Sequence, residues 1–352
     1  MKIQWIDNNI NVVGGIERVI IQLSNFLVDH GCDVEIVSLY SKETNCYFGL
    51  KSEVEIYHYG SSPKDYSRIE LLRNIHKIAK KSNADIVLGC NDDICNAMVI
   101  NKPFFKGRVI ATQHAAIEYY TTKRLIFEAL LMHFADCFVV LTEWSRQYYS
   151  KKGLKCLVIP NAMSLDMLEI QEQREKIIIT AGRLTDIKKF DFLIRAFKLL
   201  HDIHPDWKLK ILGDGEDRNK LAALVQELDL EDSVLLPGFQ KNVIEEFRRA
   251  SLFTITSQSE GFPMILLEAM SQGLPAVCVD IPVMKELLDH GKYGVLASRD
   301  ETAFAVAMNS LIENEQLRKE YGEKALERSK NYSMENVGMQ WLALFRKLSK
   351  KK

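Results

Sequence analysis

Leu252-Phe253-Thr254-Ile255-Thr256-Ser257-Gln258-Ser259-Glu260-Gly261-Phe262-Pro263-Met264-Ile265-Leu266-Leu267-Glu268-Ala269-Met270 is the stretch around which the chain is organised. Its first five residues are apolar and rich in β-branched types, as a short buried strand requires. Glu260 and Gly261 then turn the chain, and Pro263 suits the first position of a helix through its fixed φ and missing N–H. The spacing puts Glu260 on a loop and Glu268 about a turn and a half into the helix. The amides of Phe262 to Ile265 face the same mouth, where a helix N-terminus attracts phosphate. Carboxylates for hydroxyls beside amides for phosphate point to a sugar joined to a phosphate. The spacing equally describes a capped helix with two solvated glutamates, so the rest of the chain decides.

At 352 residues the chain exceeds one ordinary domain and suits two of about 150 to 200 residues each. A formal net charge of −1 argues against a nucleic-acid partner. Cys32, Cys46, Cys90, Cys95, Cys137, Cys156 and Cys278 are scattered with no C-x-x-C, which suits reduced thiols in a cytosol and neither a disulfide framework nor a zinc site. The N-terminus runs straight into a strand without a signal-peptide layout, and no apolar run reaches the length of a membrane span. A cytoplasmic location is therefore expected.

Strands alternate with helices throughout. In the first half strands fall at residues 3–6, 34–39, 54–57, 85–89, 108–111, 137–141 and 157–159, with helices at 16–29, 68–81, 94–100, 118–134 and 143–151. A polar, acidic linker over 164–175 precedes a second series with strands at 177–179, 208–212, 233–236, 252–256, 276–279 and 294–296. A final helix begins at 334 and carries Trp341, Leu344 and Phe345 on one face. The pattern predicts two Rossmann-like α/β domains, each a parallel sheet wrapped by helices and facing a cleft. Residues 1–163 with a returning helix 334–352 form the first, and residues 164–333 the second.

Three further features stand at strand ends. Gly14-Gly15 follows the first strand, where open α/β sheets bind ligands. It lacks the dinucleotide spacing and suits either close backbone approach to a diphosphate or a tight turn. His114 follows the strand at 108–111 directly. Gly182-Arg183-Leu184-Thr185-Asp186-Ile187-Lys188-Lys189 follows the strand at 177–179 and brings a guanidinium fork and an ammonium to the edge that holds Glu260. Elsewhere, helix 68–81 turns Ile69, Leu72, Ile75, Ile78 and Ala79 inward and Arg73, His76, Lys77, Lys80 and Lys81 outward, either as a solvated face or as a rest for anionic lipid.

With these residues in hand, the chain resembles a family 4 retaining glycosyltransferase of the GT-B fold over nearly its whole length. The likeness rests on Gly14-Gly15 with Glu17-Arg18, His114, Pro160-Asn161, Gly182-Arg183 with Lys188, Gly213-Asp214-Gly215-Glu216, and Glu260 through Glu268. It implies a nucleotide-sugar donor held mainly by the second domain. Arg183 and Lys188 would grip the diphosphate, Glu268 the ribose hydroxyls and Glu260 the transferred sugar. The backbone of Gly261, Phe262, Pro263, Met264 and Ile265 would line the sugar and phosphates with its amides. Gly14 or Gly15 would approach the diphosphate, His114 would sit near the reacting carbon, and Pro237-Gly238-Phe239 would edge the base. UDP is the expected carrier, with no cofactor and no metal, since no D-x-D motif follows a strand. The acceptor is expected to be a glycan or lipid-linked glycan of capsule or lipopolysaccharide type, with peripheral contact to an anionic membrane. One departure is Lys189, where the family usually has glycine. A sugar-nucleotide epimerase and a non-catalytic GT-B-like binding subunit are the rival readings; the second loses force because the arginine, the lysine and both glutamates are present.

Overall fold

A computed structural model describes residues 1–12, 14–41, 48–60, 67–163 and 173–350. Cys46 and residues 164–172 of the expected linker lie outside the described residues. The chain divides into two compact units, Met1–Ser164 with Tyr332–Lys352, and Leu165–Asn331.

The first unit holds β1 (Lys2–Asp7), β2 (Asp33–Ser38), β3 (Glu55–His58), β4 (Ile86–Gly89), β5 (Arg108–Gln113), β6 (Cys137–Val140) and β7 (Leu157–Val158). All pair in parallel, in the order β3-β2-β1-β4-β5-β6-β7. Strands such as Ile86-Val87-Leu88-Gly89 are buried throughout because helices cover both faces. Helices Arg68–Lys81, Asp92–Ile100 and Thr122–Met132 pack through Leu71, Ile75, Ile94, Met98, Leu125 and Met132. On the opposite face, helices Gly15–Asp29 and Met334–Ser349 contribute Ile20, Leu27, Val337, Trp341 and Phe345. Gly338 lets these two helices close, since a Cβ there would lie 2.6 Å from the Phe26 ring.

The second unit holds β8 (Ile177–Ala181), β9 (Lys208–Leu212), β10 (Val234–Gly238), β11 (Leu252–Ile255), β12 (Ala276–Val279) and β13 (Val295–Ala297), all parallel, in the order β10-β9-β8-β11-β12-β13. In each sheet the strand order reverses beside the unit's first strand, at β1/β4 and at β8/β11, where doubly wound sheets open a crevice at their carboxyl edge. No helix among the described residues is long and apolar enough to cross a membrane.

Several local expectations are corrected. Pro263 precedes the helix Met264–Ser271 as its N-cap, with a non-helical ψ of 86°. Ile69 faces out at 63% exposure; Leu71, Asn74, Ile75, Ile78 and Ala79 are the buried residues of Arg68–Lys81. At 100° per residue Ile69 lies well off the stripe that those residues define. The expected helix over 118–134 splits into a 3-10 turn at Ile117–Tyr119 and the helix Thr122–Met132, because the Thr121 hydroxyl accepts from the Arg124 amide and caps a new start. Just beyond the undescribed linker residues, Arg174 donates to the carbonyls of Ala250 (3.0 Å) and Gln272 (2.6 Å), so its guanidinium satisfies chain ends beside two helix C-termini.

Candidate active site

The second unit brings together the groups that flank its strand reversal. Lys188 ends a 3-10 turn after β8, and Glu260 lies on the loop after β11. The Lys188 ammonium donates to Glu260 Oε1 at 2.6 Å, and the Ser257 hydroxyl donates to the same oxygen at 2.6 Å. Both side chains of the ion pair are largely buried, at 22% and 13% exposure. The Thr256 hydroxyl donates to the Lys188 carbonyl (2.9 Å) and the Gln258 amide to the Ile187 carbonyl (2.7 Å), so the two loops are stitched in register. Arg299 donates to the Ser257 carbonyl from the loop after β13. Arg183 stands exposed at the same edge, with no ion pair or hydrogen bond among the described residues.

Glycines fix the floor of this edge. A Cβ on Gly213 would lie 2.0 Å from the Gly182 carbonyl oxygen, and one on Gly215 would lie 2.3 Å from the Leu184 carbonyl oxygen. Gly213 also holds φ at +127°, open only to glycine. The Leu184 amide donates to the Asp214 carbonyl and the Gly213 amide to the Gly238 carbonyl, each at 2.9 Å. The loops after β8, β9 and β10 therefore interlock backbone to backbone, which is why Gly213-Asp214-Gly215 is needed. Gly238 takes φ +82° and turns the chain so that Phe239 stands 59% exposed. Arg218 braces that turn by donating to the Leu236 carbonyl at 2.8 Å.

Glu268 is buried on the helix Met264–Ser271, whose first-turn amides at Met264 and Ile265 open beside Gly261, Phe262 and Pro263. Lys189 adopts the left-handed conformation, φ 52° and ψ 44°, and its ammonium pairs with both oxygens of Asp186 at 2.8 Å. The departure from glycine is thus a backbone strain at this position, with the added charge absorbed locally.

At the first unit's edge, Gly14 caps the helix Gly15–Asp29 with φ −140°, and Gly15 is helical. Neither has a left-handed backbone. Among the described residues nothing lies within 4 Å of a Cβ built at Gly15, and one at Gly14 would run into a Glu17 carboxyl oxygen. Asp7, at the end of β1, is buried, and desolvation with the nearby Glu17 pushes its carboxyl up to about 7. Burial likewise raises Glu17. His114 follows β5; neither ring nitrogen reaches solvent or a hydrogen-bond partner among the described residues, and burial lowers its pKa to about 4. The imidazole is neutral at physiological pH and offers one donor and one acceptor.

The sequence reading missed Ser257, Asp7 and Arg218. Ser257 had a signal, standing three residues before Glu260 at the strand end. Asp7, the last residue of β1, had the same kind of positional signal. Arg218 had none, because its partner arrives from β10.

Two Rossmann-like sheets, the second gathering an ion pair, glycine loops and a helix N-terminus at its strand reversal, are those of a GT-B glycosyltransferase. The model for glycosyl transferases group 1 matches residues 168–328 and that for Glycosyltransferase Family 4 matches residues 13–167, so the chain belongs to the family 4 glycosyltransferases. It is 28% identical to the amylovoran biosynthesis glycosyltransferase AmsD of Erwinia amylovora, over 97% of this chain and 98% of that one. It is 25% identical, over 98% of each, to the Campylobacter jejuni enzyme named GalNAc-alpha-(1->4)-GalNAc-alpha-(1->3)-diNAcBac-PP-undecaprenol alpha-1,4-N-acetyl-D-galactosaminyltransferase. TarM of S. aureus, solved as a point mutant in complex with fondaparinux, alpha-GlcNAc-glycerol and UDP, shares the fold with a TM-score of 0.82 at 16% identity, over 98% of this chain and 99% of that one.

Proposed function

We propose that the protein transfers a sugar, with retention of configuration, from a UDP-sugar to a glycan or lipid-linked glycan in the synthesis of a surface polysaccharide such as capsule or lipopolysaccharide. The observation that carries this reading is the largely buried Lys188–Glu260 pair, with the exposed Arg183 on the same sheet edge, at the strand reversal of the second sheet. In this reading the bond between the anomeric carbon and the diphosphate breaks while the acceptor hydroxyl adds on the same face, and the departing diphosphate takes the acceptor's proton. Arg183 and Lys188 neutralise the charge that builds on the diphosphate. Glu260 holds sugar hydroxyls, positioned by Ser257, and Glu268 holds the ribose. The backbone from Gly261 through Ile265, with N–H groups at every position but Pro263, lines the sugar and phosphates, with Gly238 and Phe239 beside the base. For the first unit the reading assigns His114 to the reacting sugar and its acceptor, and Gly14 and Gly15 to close approach of the diphosphate. No metal or other cofactor takes part.

The UDP assignment draws support from the UDP bound to TarM, and the acceptor class from the undecaprenol-linked glycan in the Campylobacter enzyme's name. The work would take place in the cytoplasm, against the inner face of the membrane. A thermal-shift panel of nucleotide-sugars tests the donor, since a ligand that binds only the folded state raises apparent stability. UDP-sugars should raise the melting temperature more than GDP- or ADP-sugars; an equal response to all would remove the UDP assignment.

A further inference from the structure

The helix Thr122–Met132 turns an apolar stripe to solvent. Its inner face is Leu125, Glu128, Ala129 and Met132, all buried. On the opposite face Ile126, Phe127 and Leu130 are 46%, 56% and 63% exposed, and Phe134, just past the helix end, is 68% exposed. At 3.6 residues per turn Phe127, Leu130 and Phe134 fall on one line, with Lys123 at its head. A helix on a solvated sheet carries polar residues there. Four large apolar side chains in one stripe are a patch, not scattered exposure.

The stripe adjoins cations. Lys102 donates to the Phe134 carbonyl at 2.9 Å. Two residues on, Phe104 is 47% exposed, and its ring takes His76 edge-on at 4.3 Å and the Lys80 ammonium at 5.9 Å. Phe104 and Lys102 thus link the apolar stripe to the outer face of Arg68–Lys81, where Arg73, Lys77, Lys80 and Lys81 are exposed beside the outward Ile69. Lys106 and Lys123 add two more exposed cations. Asp136 is matched by Lys102 and Arg108, and Asp92 and Asp93 by Arg124.

Apolar tips among cations that make no ion pair among the described residues complement a surface of acyl chains under anionic headgroups. We propose that this face docks the first unit on an anionic lipid bilayer, with Ile126, Phe127, Leu130 and Phe134 entering the acyl boundary and Arg73, Lys77, Lys80, Lys106 and Lys123 meeting headgroup phosphates. The proposal rests on the lipid-linked acceptor reading and names the side chains that bring the enzyme to such an acceptor.

Co-sedimentation of the full chain with phosphatidylcholine vesicles, with and without phosphatidylglycerol and free of any acceptor, tests it. Wild type should pellet with the phosphatidylglycerol vesicles. F127E/L130E should lose about tenfold or more of that binding, with an unchanged melting temperature because both positions are exposed. K77E/K80E provides a second, independent variant and should lose only the part that depends on phosphatidylglycerol. Wild type that stays in solution, or F127E/L130E that pellets like wild type, overturns the proposal. So does a wild-type dimer that F127E/L130E converts to monomer without changing vesicle binding, because the face would then join two copies of this chain. Because the vesicles hold no acceptor, failure to glycosylate a lipid-linked glycan would remove the acceptor reading and leave the docking result standing.

Discussion

The carboxyl edges of the two sheets solve opposite electrostatic problems. In the second unit, charge is present and matched: Lys188 and Ser257 converge on one oxygen of Glu260, over three loops locked together by glycine. In the first unit the polar groups are stripped of charge. Asp7 is held as a neutral carboxyl up to about pH 7, and His114 as a neutral imidazole down to about pH 4 with both nitrogens unpartnered among the described residues. A buried polar group without a partner costs free energy and calls for an explanation. The contrast teaches that one edge holds its charges matched and locked in place. The other is a neutral, desolvated edge where Asp7 accepts from the Asn9 amide and His114 has no partner among the described residues.

The glycine loops give the largest test of this contrast. Gly213→Ala sets a methyl against the Gly182 carbonyl and forces a φ of +127° on alanine, and should destabilise the protein by about 4 kcal/mol or more. Gly15→Ala meets nothing within 4 Å among the described residues and should leave stability within about 0.5 kcal/mol while raising the KM for donor. Denaturant melts that show equal losses for the two variants would break the distinction between a structural and a ligand-facing glycine.

Next in size is the pH response of Asp7. The folded state keeps its proton up to about 7, whereas the unfolded chain releases it near 3.8. Between those values the unfolded state binds fewer protons, so stability falls as pH rises from about 4 to about 7 and levels off above. At about 1.4 kcal/mol per unit the window amounts to at most about 4 kcal/mol. Asp7→Asn should flatten this part of the stability profile, and a profile parallel to wild type would contradict the neutral-carboxyl reading.

The smallest effect lies at Lys189. Lys189→Gly removes the left-handed strain and loses only an exposed ion pair to Asp186, so it should stabilise by about 1 kcal/mol. A lower melting temperature would mean that the pair matters more than the backbone.

Much of this was legible in the sequence, and the gaps have physical causes. Alternating strands and helices gave both sheets, and residues at strand ends, Lys188, Glu260 and His114 among them, are found at carboxyl edges because parallel strands all end on one side. Contacts between distant loops were not legible. That Gly213 must pass against Gly182, or that Arg218 braces the turn before Phe239, depends on strand order, which periodicity leaves open. Lys189 could be marked as a departure, but its left-handed backbone could not. Ile69 was placed inward by its apolarity; its angle around the helix turned it out.

The central claim is that Arg183, exposed and without a structural partner among the described residues, serves the departing diphosphate. Sugar-transfer rates of purified wild type and Arg183→Ala, with a UDP-sugar donor both enzymes bind, test it most directly. The account predicts turnover lower by about 10² or more, with an unchanged melting temperature. Transfer at the wild-type rate would contradict it.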